Sequence, residues 1–253
     1  MSTTSRGPDG QTAPAVEYPT RDGRPLGETD IHRRAIVELI ELLEHWYAGD
    51  PLTYVSGNLM LYYVQGNSRK HLSPDVMVTR GIRKQPMRKL YLVWEEGRAP
   101  ELVIEVTSKS TRNEDLKTKL ALYRDVLHVT EYFLFDPEGE YLRPQLQGYR
   151  LMGSEYVPLE PVDGRLASEV TGLHLEASGP RLRLWDPTTQ SYLLTAAERA
   201  QRDSLARQQE SLARQRAEER AQSEMLGRLQ AEENERRLQA EIERLKGTRP
   251  PGI

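Results

Sequence analysis

The chain has 253 residues, room for one sizeable domain with an appendage or for two small ones. It contains no cysteine, which excludes a disulfide framework and cysteine-ligated zinc or iron–sulfur sites. Its net charge of −3 gives no bulk attraction to nucleic acid, so any such binding must come from a local patch.

The first stretch, residues 1–27, is rich in Ser, Thr, Gly and Pro and reads as a mostly disordered lead-in. It has no apolar run of the kind a secretory signal needs, and no segment approaches the roughly 18 apolar residues of a membrane span. A cytoplasmic protein with no membrane contact is expected. "ETDIHRRAIVELIELLEHWY" then predicts a helix. Ile36, Leu39, Ile40 and Leu43 share one face, extended by Trp46 and Tyr47, and Gly49 and Pro51 stop it. Glu28 or Asp30 suits the positive end of the helix, and His32 reads as a surface or capping residue. "LTYVSGNLMLYYV" predicts a hairpin or a strand–bend–strand, "SPDVMV" a short strand led by Pro74, and "ELVIEVTS" a strong buried strand.

A second helix is predicted over 111–125, with Thr111 or Asn113 as cap and Leu116, Leu120 and Tyr123 as apolar contacts. "EYFLFD" is another buried strand, followed by short runs that predict a peripheral antiparallel meander. Near residue 188 the composition turns to Ala, Gln, Glu, Arg and Leu. That predicts a long helix over 188–247 and a disordered tail over 248–253, with 28–187 as the globular domain. Leu205, Leu212 and Leu226 keep a seven-residue register, but Gln208, Gln215 and Glu219 dilute the seam. A weak coiled coil is expected, and with it a homo-oligomer.

One residue breaks the pattern of the strongest strand. Glu105 stands among Leu102, Val103, Ile104 and Val106, and carboxylates are rarely buried unless paired or bound to metal. Alternation puts Val103, Glu105 and Thr107 on one face. Asp75 opens the neighbouring apolar strand. Two acids near strand ends can converge, and a small set of oxygen ligands completed by water and phosphate suits magnesium. Asp115, Lys119 and Tyr123 lie four apart and form a helical stripe that could bring Lys119 to the acids. Taken singly, Asp75 suits a turn after Pro74, Lys119 a solvated pair with Asp115, and Lys109 an exposed turn; for Glu105 the plain alternative is a buried salt bridge.

In order, "SPDVMV", "ELVIEVTSKSTRNEDLKTKLALY" and "VTEYFLFDP" resemble the Uma-two family, restriction endonucleases of the PD-(D/E)XK nuclease superfamily. The resemblance spans roughly residues 18–195. It implies an α/β fold: a restriction endonuclease-like mixed sheet flanked by helices, here with a C-terminal long helix or coiled coil. It implies that Asp75 and Glu105 bind Mg2+ (or Mn2+) for phosphodiester hydrolysis. The superfamily's lysine two residues after the glutamate is replaced by Thr107, so another lysine must serve: Lys119, with Lys109 as the alternative. The expected function is metal-dependent cleavage of DNA. The rival expectation is an inactive nuclease-like domain that binds nucleic acid or acts as a scaffold through its C-terminal helix. "TRGIRKQPMRKLY" holds five basic residues between the two acidic strands and is a candidate phosphate-contacting loop.

Overall fold

The computed structural model describes residues 16–20, 29–109 and 111–247. Most of the expected lead-in, Glu28 and the 248–253 tail lie outside the described residues. The chain divides into two compact units, Met1–Thr195 and Ala196–Ile253.

In the first unit, α1 (Asp30–Trp46) begins at Thr29, whose hydroxyl accepts the His32 N–H at 3.2 Å. Its buried stripe runs through His32, Ala35, Ile36, Leu39 and Leu43. The strands β1 (Thr53–Ser56), β2 (Leu61–Tyr62), β3 (His71–Leu72), β4 (Val76–Arg80) and β5 (Tyr91–Leu92) follow, then the single turn α2 (Val93–Glu96) and β6 (Leu102–Val106). A π-helical segment, Glu114–Lys119, runs into α3 (Leu120–Asp125). After it come β7 (Glu131–Phe135), β8 (Leu146–Met152), β9 (Glu155–Pro158), β10 (Leu166–Ala167), β11 (His174–Ser178), β12 (Arg181–Asp186) and β13 (Ser191–Tyr192). Asn113 makes no side-chain capping bond; instead the Thr111 carbonyl accepts the Asp115 N–H.

The central sheet has the order β1-β4-β6-β7-β8-β9. Only β6 and β7 are parallel within it, as expected of two strands joined through a helix. Alternation along the strands builds two cores. Val76, Val78, Leu102, Ile104, Val106, Phe133 and Phe135 pack with α1 and with β11 and β12. Met77, Val103, Tyr132 and Leu134 pack with Tyr123 of α3 on the opposite face. The expected meander is thus split: β8 and β9 extend the central sheet, whereas β10–β13 form a separate four-stranded sheet.

A third sheet, β3-β2-β5, carries Tyr62 and Leu92. Tyr18 is buried against it, 5.0 Å from the Tyr62 ring and 5.3 Å from that of Trp94. Residues 16–20 therefore depart from the expected disorder: two aromatic contacts and the bond from Tyr62 Oη to the Pro19 carbonyl hold this stretch down.

The second unit is α4 (Ala196–Gly247), a 52-residue helix. It starts later than the change of composition, because Ser191 and Tyr192 pair with Asp186 and Trp185 as β13. Leu205, Leu212, Leu226, Leu229, Leu238, Ile242 and Leu245 are all exposed on it. Among the described residues, no helix is long and apolar enough to cross a membrane.

The core lies in the first unit, so a chain lacking 198–253 is expected to unfold cooperatively by calorimetry. Its midpoint should lie within about 3 °C of the full chain's, roughly the shift that 1 kcal/mol gives in a domain of this size. Loss of the transition would show that the helix is part of the domain.

Candidate active site

Three elements supply the site: the start of β4, the end of β6, and the helical segment that leads from β6 to β7. The β4–β6 register pairs Val78 with Leu102, Met77 with Val103 and Val76 with Ile104. One step further, Asp75 faces Glu105. Residues opposed in this way share a face, with Cβ atoms about 4.5–5.5 Å apart. Asp75 Oδ2 accepts the Val106 N–H at 2.8 Å, which ties the β4 start to the end of β6. Gly57 permits this seating, since a Cβ there would meet the Asp75 carbonyl oxygen at 2.0 Å.

Glu105 is fully buried, and both of its oxygens accept hydrogen bonds. Tyr123 Oη donates to Oε1 at 2.6 Å and Lys119 Nζ to Oε2 at 2.8 Å. Lys119 Nζ also lies 3.0 Å from Asp115 Oδ1. Both Asp115 oxygens are buried without a well-aligned hydrogen bond, and the Lys119 ammonium and the Thr111 hydroxyl are the groups beside them that favour the charged form. The stripe read from spacing therefore faces inward. In a straight α-helix each four-residue step overshoots a full turn by about 40°. The wider π turn across Glu114–Lys119 takes back part of that rotation, so Asp115, Lys119 and Tyr123 stay aligned. Tyr132 Oη fixes the turn to the sheet by donating to the Asp115 carbonyl at 3.0 Å.

Burial dominates the electrostatics. It pushes Glu105 up to about 7, against the pull of Lys119 and with the charge of Asp75 adding to the rise. Burial likewise raises Asp75 to about 6 and Asp115 to about 6, again opposed by Lys119. Burial lowers the Lys119 ammonium, but Glu105, Asp115 and Asp75 outweigh it and hold the proton well above the ordinary lysine range. With every group ionised, three carboxylates face one ammonium, a surplus of two negative charges. A divalent cation would match that surplus in charge. Among the described residues, no group of three or more His, Cys, Asp and Glu side chains is arranged to hold a metal. Asp75 and Glu105 could hold one only with water or phosphate oxygens completing the shell, as is usual for magnesium.

The other expected residues fall elsewhere. Lys109 is exposed in the turn after β6, and the structure records no contact between it and the acids. Thr107 continues the Glu105 face, with its hydroxyl buried and without a hydrogen-bond partner. In the basic loop, Arg80 pairs with Glu101, Lys84 with the Tyr47 carbonyl, and Arg88 with Glu96 while stacking 4.2 Å over Tyr54. Three of its five cations thus have partners within the chain, Arg80 while remaining exposed, and Arg83 and Lys89 are exposed as well. His32, read from sequence as a surface or capping residue, is buried, bonded through Nε2 to the Val106 carbonyl and 4.0 Å from Asp75 Oδ2. Its place on the stripe His32–Ile36–Leu39–Leu43 was the signal for burial.

Two further carboxylates of the quoted motifs are structural. Glu131 accepts from Arg150 at 2.9 Å, the Ser168 hydroxyl at 2.5 Å and the Glu169 N–H at 2.8 Å. Asp136 accepts the N–H groups of Glu138, Gly139, Tyr141 and Leu142.

The first unit is thus a mixed α/β domain with opposed acids at a strand end and a helix-borne lysine between carboxylates. Residues 9–181 match the Uma2 family, described as "Putative restriction endonuclease", and the chain belongs to that family. Among solved structures it is similar to a "putative nuclease" from Anabaena variabilis, at 15% identity over 66% of this chain and 84% of that one, with a TM-score of 0.43. No curated protein matches.

The raised carboxylates give a signed prediction for the metal-free protein. A carboxyl whose folded pKa is raised stabilises fully below its unfolded value, and that stability is lost as pH rises through the folded value. The unfolding free energy of the wild type should therefore fall relative to Glu105→Gln between about pH 4 and pH 8. Lys119 does not contribute in this window, because its proton is lost only at much higher pH. Denaturant unfolding in chelator checks this; a difference that is flat or moves toward the wild type contradicts it.

Proposed function

We propose that the chain is a metal-dependent endonuclease that hydrolyses phosphodiester bonds, with DNA in the cytoplasm as its substrate. The observation that carries the reading is Lys119, held between Glu105 and Asp115 while Asp75 faces Glu105 across the strand pair.

Asp75 and Glu105 are the residues that would hold Mg2+ or Mn2+. The bound cation would supply Lewis-acid polarisation of the scissile phosphate and offset the surplus negative charge. Glu105 is held in one orientation by Tyr123, so its geometry is set before any ligand arrives. Lys119 keeps its proton at Nζ and offers a fixed positive charge to the phosphate as negative charge builds on it. Lys119 and Asp75 side chains, each 13% exposed, form the open side of the cluster, whereas Glu105 lies beneath them. Arg83 and Lys89 are free to meet the phosphate backbone.

The rival, an inactive nuclease-like domain that binds nucleic acid or acts as a scaffold through α4, is favoured by Thr107 standing where the superfamily has a lysine. A helix lysine in contact with Glu105 answers that absence and favours catalysis. Assembly of copies through the exposed leucines of α4 is compatible with either and forms part of the proposal.

The test is nicking of supercoiled plasmid DNA in Mg2+ or Mn2+, with folding followed by circular dichroism. Lys119→Met should lower the rate by about 10²–10³, the usual cost of one transition-state charge partner, whereas Lys109→Ala should stay near the wild type. Normal cleavage by Lys119→Met together with a dead Lys109→Ala would assign the role to the turn lysine. A wild type that cuts no DNA under these conditions would favour the scaffold.

A further inference from the structure

Pro74 leaves a gap in the sheet. Continuing the β4–β6 register, it stands opposite Val106, the last residue of β6. The Thr107 N–H bonds the Phe135 carbonyl on the β7 side, so by alternation both the N–H and the carbonyl of Val106 point toward β4. Proline has no N–H to offer it, and the Pro74 carbonyl turns to the β1 side, where it accepts the Asn58 N–H at 2.8 Å, so the β4 side gives the Val106 carbonyl no backbone donor.

Two side chains close the gap. The Val106 N–H donates to Asp75 Oδ2 at 2.8 Å. The Val106 carbonyl is met by His32 Nε2, and since a carbonyl only accepts, that nitrogen carries the hydrogen. The same Nε2 lies 4.0 Å from Asp75 Oδ2. His32 belongs to the first turn of α1, and its position is fixed by the Thr29 cap and by the buried stripe behind it.

We propose that His32 is a positioning residue for Asp75. It gives the Val106 carbonyl the donor that the β4 side lacks, holds the end of β6 in place, and so fixes the Val106 N–H that orients the Asp75 carboxylate. The role rests on the reading of Asp75 as a metal ligand. Pro74 and His32 then form one device: the proline ends the ladder so that a carboxylate can turn into the site, and the histidine prevents the freed strand end from fraying.

The test uses the full chain and Mn2+ alone, by calorimetric titration, together with amide exchange at Val106 in the metal-free protein. His32→Phe keeps a ring but removes the donor, and His32→Gln keeps a donor. Loss of a partner that orients a ligand typically costs on the order of 10–100-fold in metal affinity, so His32→Phe should weaken Mn2+ by that factor while His32→Gln stays within about threefold of the wild type. The Val106 amide should exchange faster in His32→Phe and normally in His32→Gln. Wild-type affinity and exchange in His32→Phe would overturn the proposal. If the wild type binds no Mn2+, the metal reading fails and the exchange comparison alone decides: acceleration rescued by Gln upholds the positioning role, and no acceleration overturns it. Should His32→Phe not fold, His32→Asn, polar but too short to reach the carbonyl, replaces it with the same expectations.

Discussion

The site depends on one buried ammonium. Lys119 touches Glu105 and Asp115 at once, and its charge also reaches Asp75. Without it, three carboxylates would share a region with no countercharge, and breaking a buried ion pair from one side commonly costs about 3–5 kcal/mol. With it, the cluster still carries the two Asp115 oxygens without a well-aligned hydrogen bond and three acids displaced toward neutrality. The chain has placed charge where it does not fully compensate it. That is a costly arrangement for stability alone, and it is intelligible if a ligand supplies what is missing.

The surrounding fold keeps that cluster in register. Glu131 and Asp136, at the two ends of β7, are buried and fully engaged with their own neighbours. Glu131 gathers Arg150, Ser168 and the backbone ahead of β11, while Asp136 closes the turn that leads to β8. These acids, so close in sequence to the catalytic candidates, fix the strand that runs parallel to β6. The π turn does similar work on the helix side, where a regular α-helix would carry Asp115 and Tyr123 apart.

Much of this was legible in the residues. Glu105 announced itself as a charge in an apolar strand, Asp75 through its proline and strand, and the Asp115–Lys119–Tyr123 stripe through its spacing. Each is a local pattern with a plain alternative beside it, and the buried ion pair expected as the alternative for Glu105 is present, with Lys119 as its partner. His32 was read as a surface or capping residue, because a polar residue near a helix start is usually solvated, and the stripe that buries it must be extended by one turn to include it. The internal use of Arg80, Lys84 and Arg88 was hidden as well. Their partners Glu101, Tyr47 and Glu96 come from other elements, and no sequence period links them. The start of α4 was displaced because composition does not register a two-residue strand such as β13.

In the proposed mechanism Asp75 and Glu105 share one divalent cation. A crystal of the full chain soaked in Mn2+, with data collected at the manganese edge, tests it most directly. An anomalous peak is expected within about 2.0–2.6 Å of an oxygen from each carboxylate, the range for hard cations, with the two carboxylates within about 5 Å of each other. An ordered site with no peak, or with carboxylates more than about 8 Å apart and nothing between them, would contradict it.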